Sequence, residues 1–249
     1  MNRPTVKSFL IALQFLTRLP VRLEGDFQPR EVGRSLLYYP VVGLCLGLLL
    51  LLSARVLAHA GGLLPAAGVL ACWVTLTGAL HLDGLADSAD AWAGGLGNRE
   101  RTLSIMKDSN SGPVAVVALV LLLLLKLAAL ERIITLEAWS SLIFAPVMGR
   151  SAALLLFLTT PYVRSGGLGS ALAEYLPRKA GWWVSAGVAA TALLWLQIAG
   201  VWAMLVTLGV FIGLRAMAVR RIGGITGDVA GALIESVECA VLFAFAWAA

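Results

Sequence analysis

The sequence has few charged residues and few cysteines for its length. Only 13% of its 249 residues are Asp, Glu, Lys or Arg, whereas 59% are hydrophobic. Soluble domains carry about a quarter charged residues, so a water-soluble globular enzyme is nearly excluded. The mean hydropathy of +0.88 also excludes a disordered chain. Cys45, Cys72 and Cys239 stand in apolar runs without a CxxC pair, which argues against a disulfide or zinc framework.

Long apolar runs predict an all-α, polytopic membrane protein that forms one domain over residues 1–249. About seven helices of roughly 20 residues each would cross the bilayer, at 36–58, 63–82, 113–130, 138–160, 181–199, 201–219 and 229–248. Lys7, Gln14 and Arg18 form a polar stripe on a preceding helix whose other face is apolar. This pattern is typical of an amphipathic helix that lies in the membrane interface. The remaining connections are short, so any chemistry must be done by helix ends and loops.

Basic residues are distributed unevenly over the predicted connections. Most Lys and Arg residues fall on the side of the amino terminus, whereas Arg55 and Arg132 stand on the opposite side. The positive-inside rule then places the amino terminus on the cytoplasmic side of the membrane. The net charge of +5 is explained by this topology, and no nucleic-acid partner is expected. The lipid bilayer is the expected surrounding, and the oligomeric state stays open.

The clearest chemical motif, HLDGLADSAD at 81–90, closes the second predicted span. Asp83, Asp87 and Asp90 stand at i, i+4 and i+7, which puts three carboxylates on one helix face. Carboxylates this close repel one another, and a divalent cation would remove that penalty. Oxygen ligands without clustered His or Cys favour Mg²⁺, with Mn²⁺ as an alternative. The competing interpretation is a hydrated acidic helix end without a ligand.

Two further acidic segments are predicted on the same side of the membrane. The first is Lys107-Asp108-Ser109, and the second leads from Gly224 through Thr226 to Asp228. Glu235 and Glu238 continue this stripe into the last span. Unpaired carboxylates are costly there, so we expect both to face the bundle interior and to meet a cation, Arg150 or each other. A structural polar contact between helices is the alternative.

Glycine-rich turns and basic residues accompany the acidic segments. Gly94-Gly95 and Gly223-Gly224 allow backbone N–H groups to approach an anion, and Arg99, Arg101 and Lys107 are candidates to neutralise phosphates. Carboxylates, glycines and cations together predict a metal-assisted phosphoryl or phosphodiester transfer site.

Two polar residues near these segments are interpreted as structural. His81 is expected to be a hydrogen-bonded packing residue, and a role as base or ligand is the alternative. Lys126 is near the outer end of its predicted span, and we expect its side chain to snorkel to the membrane surface.

Five motifs resemble the cobalamin synthase family, whose members are also called adenosylcobinamide-GDP ribazoletransferases. In chain order they are FLTRLP at 15–20, YPVVG at 39–43, HLDGLAD at 81–87, MKDS at 106–109 and GITGD at 224–228. The resemblance extends along almost the whole chain. It departs from the family pattern at Ser88, Asn110 and Ala115, where Thr, a basic residue and a second glycine are usual, and these positions affect loop details.

The resemblance implies a magnesium-dependent integral membrane enzyme that completes cobalamin assembly. Adenosylcobinamide-GDP and α-ribazole, or its 5′-phosphate, would give adenosylcobalamin, or its phosphate, and GMP. In the mechanism we hypothesise, a ribose hydroxyl attacks the phosphorus that bears the cobinamide arm, on the cytoplasmic face.

The residues are assigned to that mechanism as follows. The candidate catalytic residues are Asp83, Asp87, Asp90, Asp108 and Lys107. The candidate ligands for one or two metal ions are Asp83, Asp87, Asp90, Asp108, Asp228 and Glu235. The candidate substrate contacts are Arg99, Arg101, Ser109, Arg150, Gly224, Thr226 and Asp228. One carboxylate would accept the hydroxyl proton, and Asp90 is the first candidate.

Two other functions are compatible with parts of the sequence. A CDP-alcohol phosphotransferase carries Asp-x-x-Asp-Gly-x-x-Ala-Arg, but here a glycine follows the first aspartate and the arginine is missing. A cation-coupled transporter would explain charges inside spans. It predicts an internal repeat, however, and none stands out in the sequence. The acidic residues also gather mostly on one face of the membrane.

Overall fold

The computed structural model describes residues 4–21, 23, 27–108 and 110–248. Within these ranges the chain is helical, and its only strand-like feature is an isolated bridge between Tyr162 and Ile225. The helices are α1 (Pro4–Leu16), α2 (Pro29–Ser35), α3 (Tyr39–Leu57), α4 (Leu64–Thr77), α5 (Leu80–Gly94), α6 (Arg99–Ile105), α7 (Pro113–Thr135), α8 (Ser140–Thr159), α9 (Gly167–Glu174), α10 (Arg178–Ile222) and α11 (Gly227–Ala248). The predicted all-α membrane class is confirmed.

Among the described residues, five helical segments are long and apolar enough to span a membrane. They are Pro29–Ala60, Pro113–Thr135, Ser140–Thr159, Gln197–Ile222 and Gly227–Trp247. The pair α4 and α5 passes the same test only when taken together, which would make a sixth, broken span. The count is thus five or six rather than the predicted seven or so, because the helix at 181–199 is not one of these segments.

The helix that precedes these segments is present, since α1 covers most of the predicted amphipathic stretch. Its Lys7 pairs with Glu31 of α2 at 2.8 Å. The next residues join α1 to the bundle, because the Arg18 N–H donates to Leu76 O at 2.7 Å.

Helix α4 ends earlier than predicted. Gly78 and Ala79 both adopt positive φ angles, of 61° and 59°, and α5 then leaves at an angle of 87° to α4. The predicted second span at 63–82 therefore stops at Thr77, and the aspartate motif stands on a separate helix.

The predicted spans 181–199 and 201–219 form one long helix, α10, with a break. Gln197 has φ 50° and ψ −121°, which interrupts the helical backbone near the predicted turn.

Helices α8 and α11 form the centre of the bundle. In each of these two helices, 72% of the apolar stretch is buried inside the protein, compared with at most 33% in the other three candidate spans. Helix α8 packs against α3, α10 and α11. The contact with α3 is close, because a Cβ at Gly43 would lie 2.6 Å from Pro146 O. Glycine in the YPVVG motif is thus required by helix packing.

The connections meet at two ends of the bundle. At one end, Arg99 Nε donates to Ile222 O at 2.9 Å, and Ile225 N donates to Pro161 O at 2.9 Å. At the other end, the guanidinium of Arg55 lies 4.5 Å from the ring centre of Trp139. The first end, which we call the motif end, carries the connections that follow α5, α8 and α10.

Candidate functional site

Two helices of the motif end, α5 and α11, cross at very short distance. A Cβ at Gly84 would lie 2.8 Å from Asp228 O and 3.0 Å from Asp228 Cα, and one at Gly231 would lie 3.3 Å from His81 Cα. Because both helices have glycine at the crossing, their backbones come into contact. This contact places Asp83 of α5 beside Asp228 in the first turn of α11.

Asp83 and Asp228 line one pocket of about 170 Å³. Four of the five sequence motifs contribute to its wall, through Phe15, Leu16, Tyr39, His81, Asp83, Gly84, Gly227 and Asp228. The fifth motif lies close by, because Thr226 Oγ1 is 3.8 Å from Met106 Sδ. Segments from the whole length of the chain therefore meet at this pocket.

The loop after α8, which none of the five sequence motifs includes, completes the pocket. Arg164 Nη1 lies 3.1 Å from Asp228 Oδ2, and Tyr162 lines the pocket. Burial raises the pKa of Tyr162 above its usual value. The loop is fixed against the GITGD motif, because Val163 N donates to Ile225 O at 2.9 Å. Gly224 permits this pairing, since a Cβ there would lie 2.3 Å from Pro161 O.

Negative charge gathers on α5 as the sequence predicts. Asp87 lies outside the five candidate spans and is partly buried, and burial together with the charges of Asp83 and Asp228 raises its pKa to about 6. Each carboxylate makes ionisation of the others more costly, which favours binding of a cation.

The oxygen donors of the site are of the kind that a hard divalent ion binds. Asp83, Asp87 and Asp228 offer carboxylate oxygens, the donors that Mg²⁺ prefers. Among the described residues, no three His, Cys, Asp or Glu side chains are arranged as a metal-binding group. The donor chemistry fits the predicted ion, and its binding stays a prediction.

Asp90 lies on α5, and its side chain caps the beginning of α7. Its carboxylate accepts hydrogen bonds from Gly112 N and, at 2.9 Å, from Ala115 N. A carboxylate in this position satisfies free N–H groups and is favoured by the helix dipole. These bonds explain Asp90 as a helix-terminal residue, and its roles as metal ligand and base stay predictions.

Lys107 and Asp108, which follow α6, are exposed. Asp108 Oδ1 accepts from Asn110 N at 3.0 Å and from Asn110 Nδ2 at 2.8 Å. Lys107 and Arg164 line a second pocket of about 90 Å³, together with Thr226. The prediction for Ser109 lies outside the described residues.

The predicted phosphate-binding arginines differ in their surroundings. Arg99 Nε donates to the carbonyl of Ile222, the last residue of α10, at 2.9 Å. Nearby, Arg221 Nη1 donates to Trp92 O. Cations at a helix C-terminus stabilise it. Arg101 is exposed, and neither Arg99 nor Arg101 lines the pocket.

Glu235 and Glu238 face the bundle interior and pair with cations, so this expectation is confirmed. Lys126 Nζ lies 2.6 Å from Glu235 Oε2 and 2.7 Å from Glu238 Oε2, and Arg150 pairs with Glu238. The expectation that Lys126 snorkels is wrong: its side chain is buried, with Nζ 4.5 Å from the ring centre of Trp73.

Two predicted site residues belong to this buried ionic network. They are Glu235, a predicted metal ligand, and Arg150, a predicted substrate contact. Neither side chain lines the pocket that contains Asp83. The structure therefore separates them from the other predicted site residues.

Comparison with known proteins decides the family. The family model of cobalamin-5-phosphate synthase matches residues 8–246. The chain belongs to this family. A relative from Pseudomonas entomophila (strain L48), named adenosylcobinamide-GDP ribazoletransferase, is 58% identical over 96% of this chain and 98% of its own. Relatives with the same name from Pseudomonas putida (strain W619) and Pseudomonas aeruginosa (strain UCBPP-PA14) are 57% and 55% identical. They cover 96% and 98% of this chain, and 98% and 99% of their own.

No solved structure matches the chain. The family expected from the five motifs is confirmed by these comparisons.

Proposed function

We propose that this chain is an adenosylcobinamide-GDP ribazoletransferase. It joins the adenosylcobinamide phosphate group to a ribose hydroxyl of α-ribazole, or of its 5′-phosphate, and releases GMP. The near-full-length relatives bear this name. The observation that carries the proposal is the pocket beside Asp83 and Asp228, where motifs from four separate parts of the chain meet.

We further propose Mg²⁺ as cofactor, with Mn²⁺ as a substitute, held by Asp83, Asp87 and Asp228. Supporting this set are the glycine-mediated helix crossing and the raised pKa of Asp87. When bound, the ion would neutralise the diphosphate charge and polarise the reacting phosphorus–oxygen bonds.

The side chains around the pocket have distinct tasks in the transfer. A new bond forms between the ribose oxygen and the phosphorus that bears the cobinamide arm, while the bond from that phosphorus to GMP breaks. Asp83, rather than Asp90, takes the hydroxyl proton, because Asp83 is exposed at the pocket whereas the Asp90 carboxylate is bonded to the beginning of α7. Asp228 is paired with Arg164. Arg164 and Lys107, which share the neighbouring small pocket, counter the charge of the departing phosphate.

Asp83→Asn tests this assignment in protein purified with detergent or lipid. We expect GMP release to fall at least a hundredfold, since the variant can neither accept the proton nor supply a charged ligand. Glu131→Gln is the matched control, because Glu131 is an exposed carboxylate on α7. Turnover by Asp83→Asn close to that of the control contradicts the role of Asp83.

We propose the inner membrane as location, with the amino terminus and the pocket on the cytoplasmic side. The loops of the motif end carry Arg99, Lys107 and Arg164, and a basic excess marks cytoplasmic loops. A cysteine introduced at Ser165, which is exposed, should react with a membrane-impermeant thiol reagent only in inverted vesicles. Reaction in intact spheroplasts contradicts this orientation.

A further inference from the structure

Tyr162 is held in one orientation at the wall of the pocket. Its ring stacks on that of Phe157, with the centres 5.9 Å apart and the planes inclined by 17°. Its backbone forms the isolated bridge to Ile225 in the GITGD motif. Both Phe157 and Tyr162 line the pocket that contains Asp83 and Asp228. Contacts from α8 and from the segment before α11 thus fix the position of this side chain.

The hydroxyl end of Tyr162 lies between two glycines of the pocket. A Cβ at Gly169 would overlap with the hydroxyl oxygen, so only glycine leaves room for the hydroxyl there. The backbone N–H of Gly227, the first residue of α11, interacts with the same oxygen. Gly169 and Gly227 both line the pocket, which places the hydroxyl at the pocket as well.

The Tyr162 hydroxyl is suited to donate a hydrogen bond into the pocket. A hydroxyl has one donor and two acceptor positions, and the N–H of Gly227 uses an acceptor position. A phenol ordinarily has a pKa of about 10, so it keeps its proton at neutral pH. The group is therefore an uncharged donor in the wall that also carries Asp83 and Asp228.

The phosphate that reacts carries the strongest hydrogen-bond acceptors that the substrates bring to this position. Its non-bridging oxygens share a negative charge, and hydrogen bonds to charged acceptors are about twice as strong as those between neutral groups. The ring nitrogens, amides and ribose hydroxyls of both substrates are neutral. The departing phosphate has its own cations, Arg164 and Lys107. The reacting phosphate must lie near Asp83, because the attacking hydroxyl loses its proton there.

We propose that Tyr162 is a further catalytic residue, whose O–H donates to a non-bridging oxygen of the phosphate that bears the cobinamide arm. The inference rests on the proposed function. Tyr162 keeps its proton throughout, because the attacking hydroxyl gives its proton to Asp83 and GMP leaves as an anion. A fixed donor of this kind stabilises the transition state without having to reorganise. Tyr39 also lines the pocket, but it begins α3, whereas Tyr162 belongs to the loop that carries Arg164.

Tyr162→Phe tests this role, because it removes only the hydroxyl and keeps the ring that stacks on Phe157. We expect kcat to fall at least tenfold while the KM for each substrate changes less than about threefold, since a donor to the transition state is lost. Tyr175→Phe is the matched control, because Tyr175 is exposed and does not line the pocket. This control should keep full turnover.

Sulfur substitution in the donor substrate separates a catalytic from a structural role. In each of two diastereomers, sulfur replaces one non-bridging oxygen on the phosphorus that bears the cobinamide arm, and sulfur is the weaker hydrogen-bond acceptor. For the diastereomer with sulfur at Tyr162, the change to Phe should lower kcat less than about threefold, because little of the hydrogen bond remains to be lost. For the other diastereomer and for the unmodified donor, it should lower kcat at least tenfold.

Two results overturn the inference. One is a fall in kcat by the same factor with all three donors, as a structural role would give, and the other is turnover by Tyr162→Phe equal to that of the control. If Tyr162→Phe does not fold, Gly169→Ala replaces it, since its added methyl group displaces the hydroxyl, and the same pattern of kcat values is expected. Failure of the unchanged protein to release GMP from adenosylcobinamide-GDP and α-ribazole is a different result, because it refutes the proposed function itself.

Discussion

The helix crossing at Gly84 makes a sharp prediction about activity. An added methyl group in Gly84→Ala would lie 2.8 Å from Asp228 O and 3.0 Å from Asp228 Cα. Favourable contacts between such atoms need about 3.5 Å or more, so α5 and α11 must separate by about half an ångström or more. Both obstructing atoms belong to the backbone, which means that no side-chain rotation can relieve the contact.

Overpacking of this kind costs about 1–3 kcal/mol, and the higher helix propensity of alanine returns only about 1 kcal/mol. The effect on catalysis should be larger than the effect on stability. A displacement of about 1 Å between reacting groups can reduce rate a hundredfold, so we expect Gly84→Ala to lower kcat at least tenfold with a small fall in Tm.

The measurements are GMP release and thermal unfolding of the purified protein. Gly209→Ala is the matched control, since Gly209 also lies within a helix and an added Cβ there meets nothing within 4 Å. That control should keep full turnover and gain a little stability. Gly84→Ala with the turnover of the control would refute the argument that this crossing sets the distance between Asp83 and Asp228.

Three further predictions concern the charges around the pocket and inside the bundle. Arg164→Gln removes the partner of Asp228, and we expect turnover to fall tenfold or more, with the turnover of Arg164→Lys between that of Arg164→Gln and that of the unchanged protein. Equal kcat in the unchanged protein and both variants would exclude a role for this arginine. Lys126→Met leaves two buried glutamates with one cation and should destabilise the protein by about 3–5 kcal/mol. Unfolding in detergent measures this loss against the control Lys179→Met, which changes an exposed lysine; equal stability of the two variants would contradict the prediction. Chelation by EDTA should abolish GMP release and added Mg²⁺ or Mn²⁺ should restore it, whereas full activity in EDTA would disprove the metal requirement.

Local patterns predicted the helices and the face on which the acidic residues lie. The spacing of Asp83 and Asp87 indicates one face of a helix, and both do lie on α5. Glu235 and Glu238 were expected inside the bundle because unpaired carboxylates are too costly in lipid. These conclusions depend only on helix periodicity and on the free energy of burying charge, and sequence expresses both directly.

Contacts between distant segments could not be predicted from such local patterns. The bond from Gly112 N to Asp90 and the ion pair of Arg164 with Asp228 depend on how helices are arranged, which periodicity does not specify. The depth of Lys126 was estimated from its place in the span, but its direction is set by partners on α11. The break at Gln197 likewise lacks a glycine or proline signal at that position.

The ionic network between α7, α8 and α11 has a consequence for biogenesis. Lys126 and Arg150 emerge from the ribosome before the glutamates that neutralise them, because α11 follows α7 and α8 in the chain. Until α11 enters the bilayer, both cations remain in contact with water or a chaperone, since lipid offers them no counter-ion. Neutralisation of the interior therefore depends on the insertion of α11, and a chain interrupted before α11 would expose two unpaired cations to proteolytic quality control.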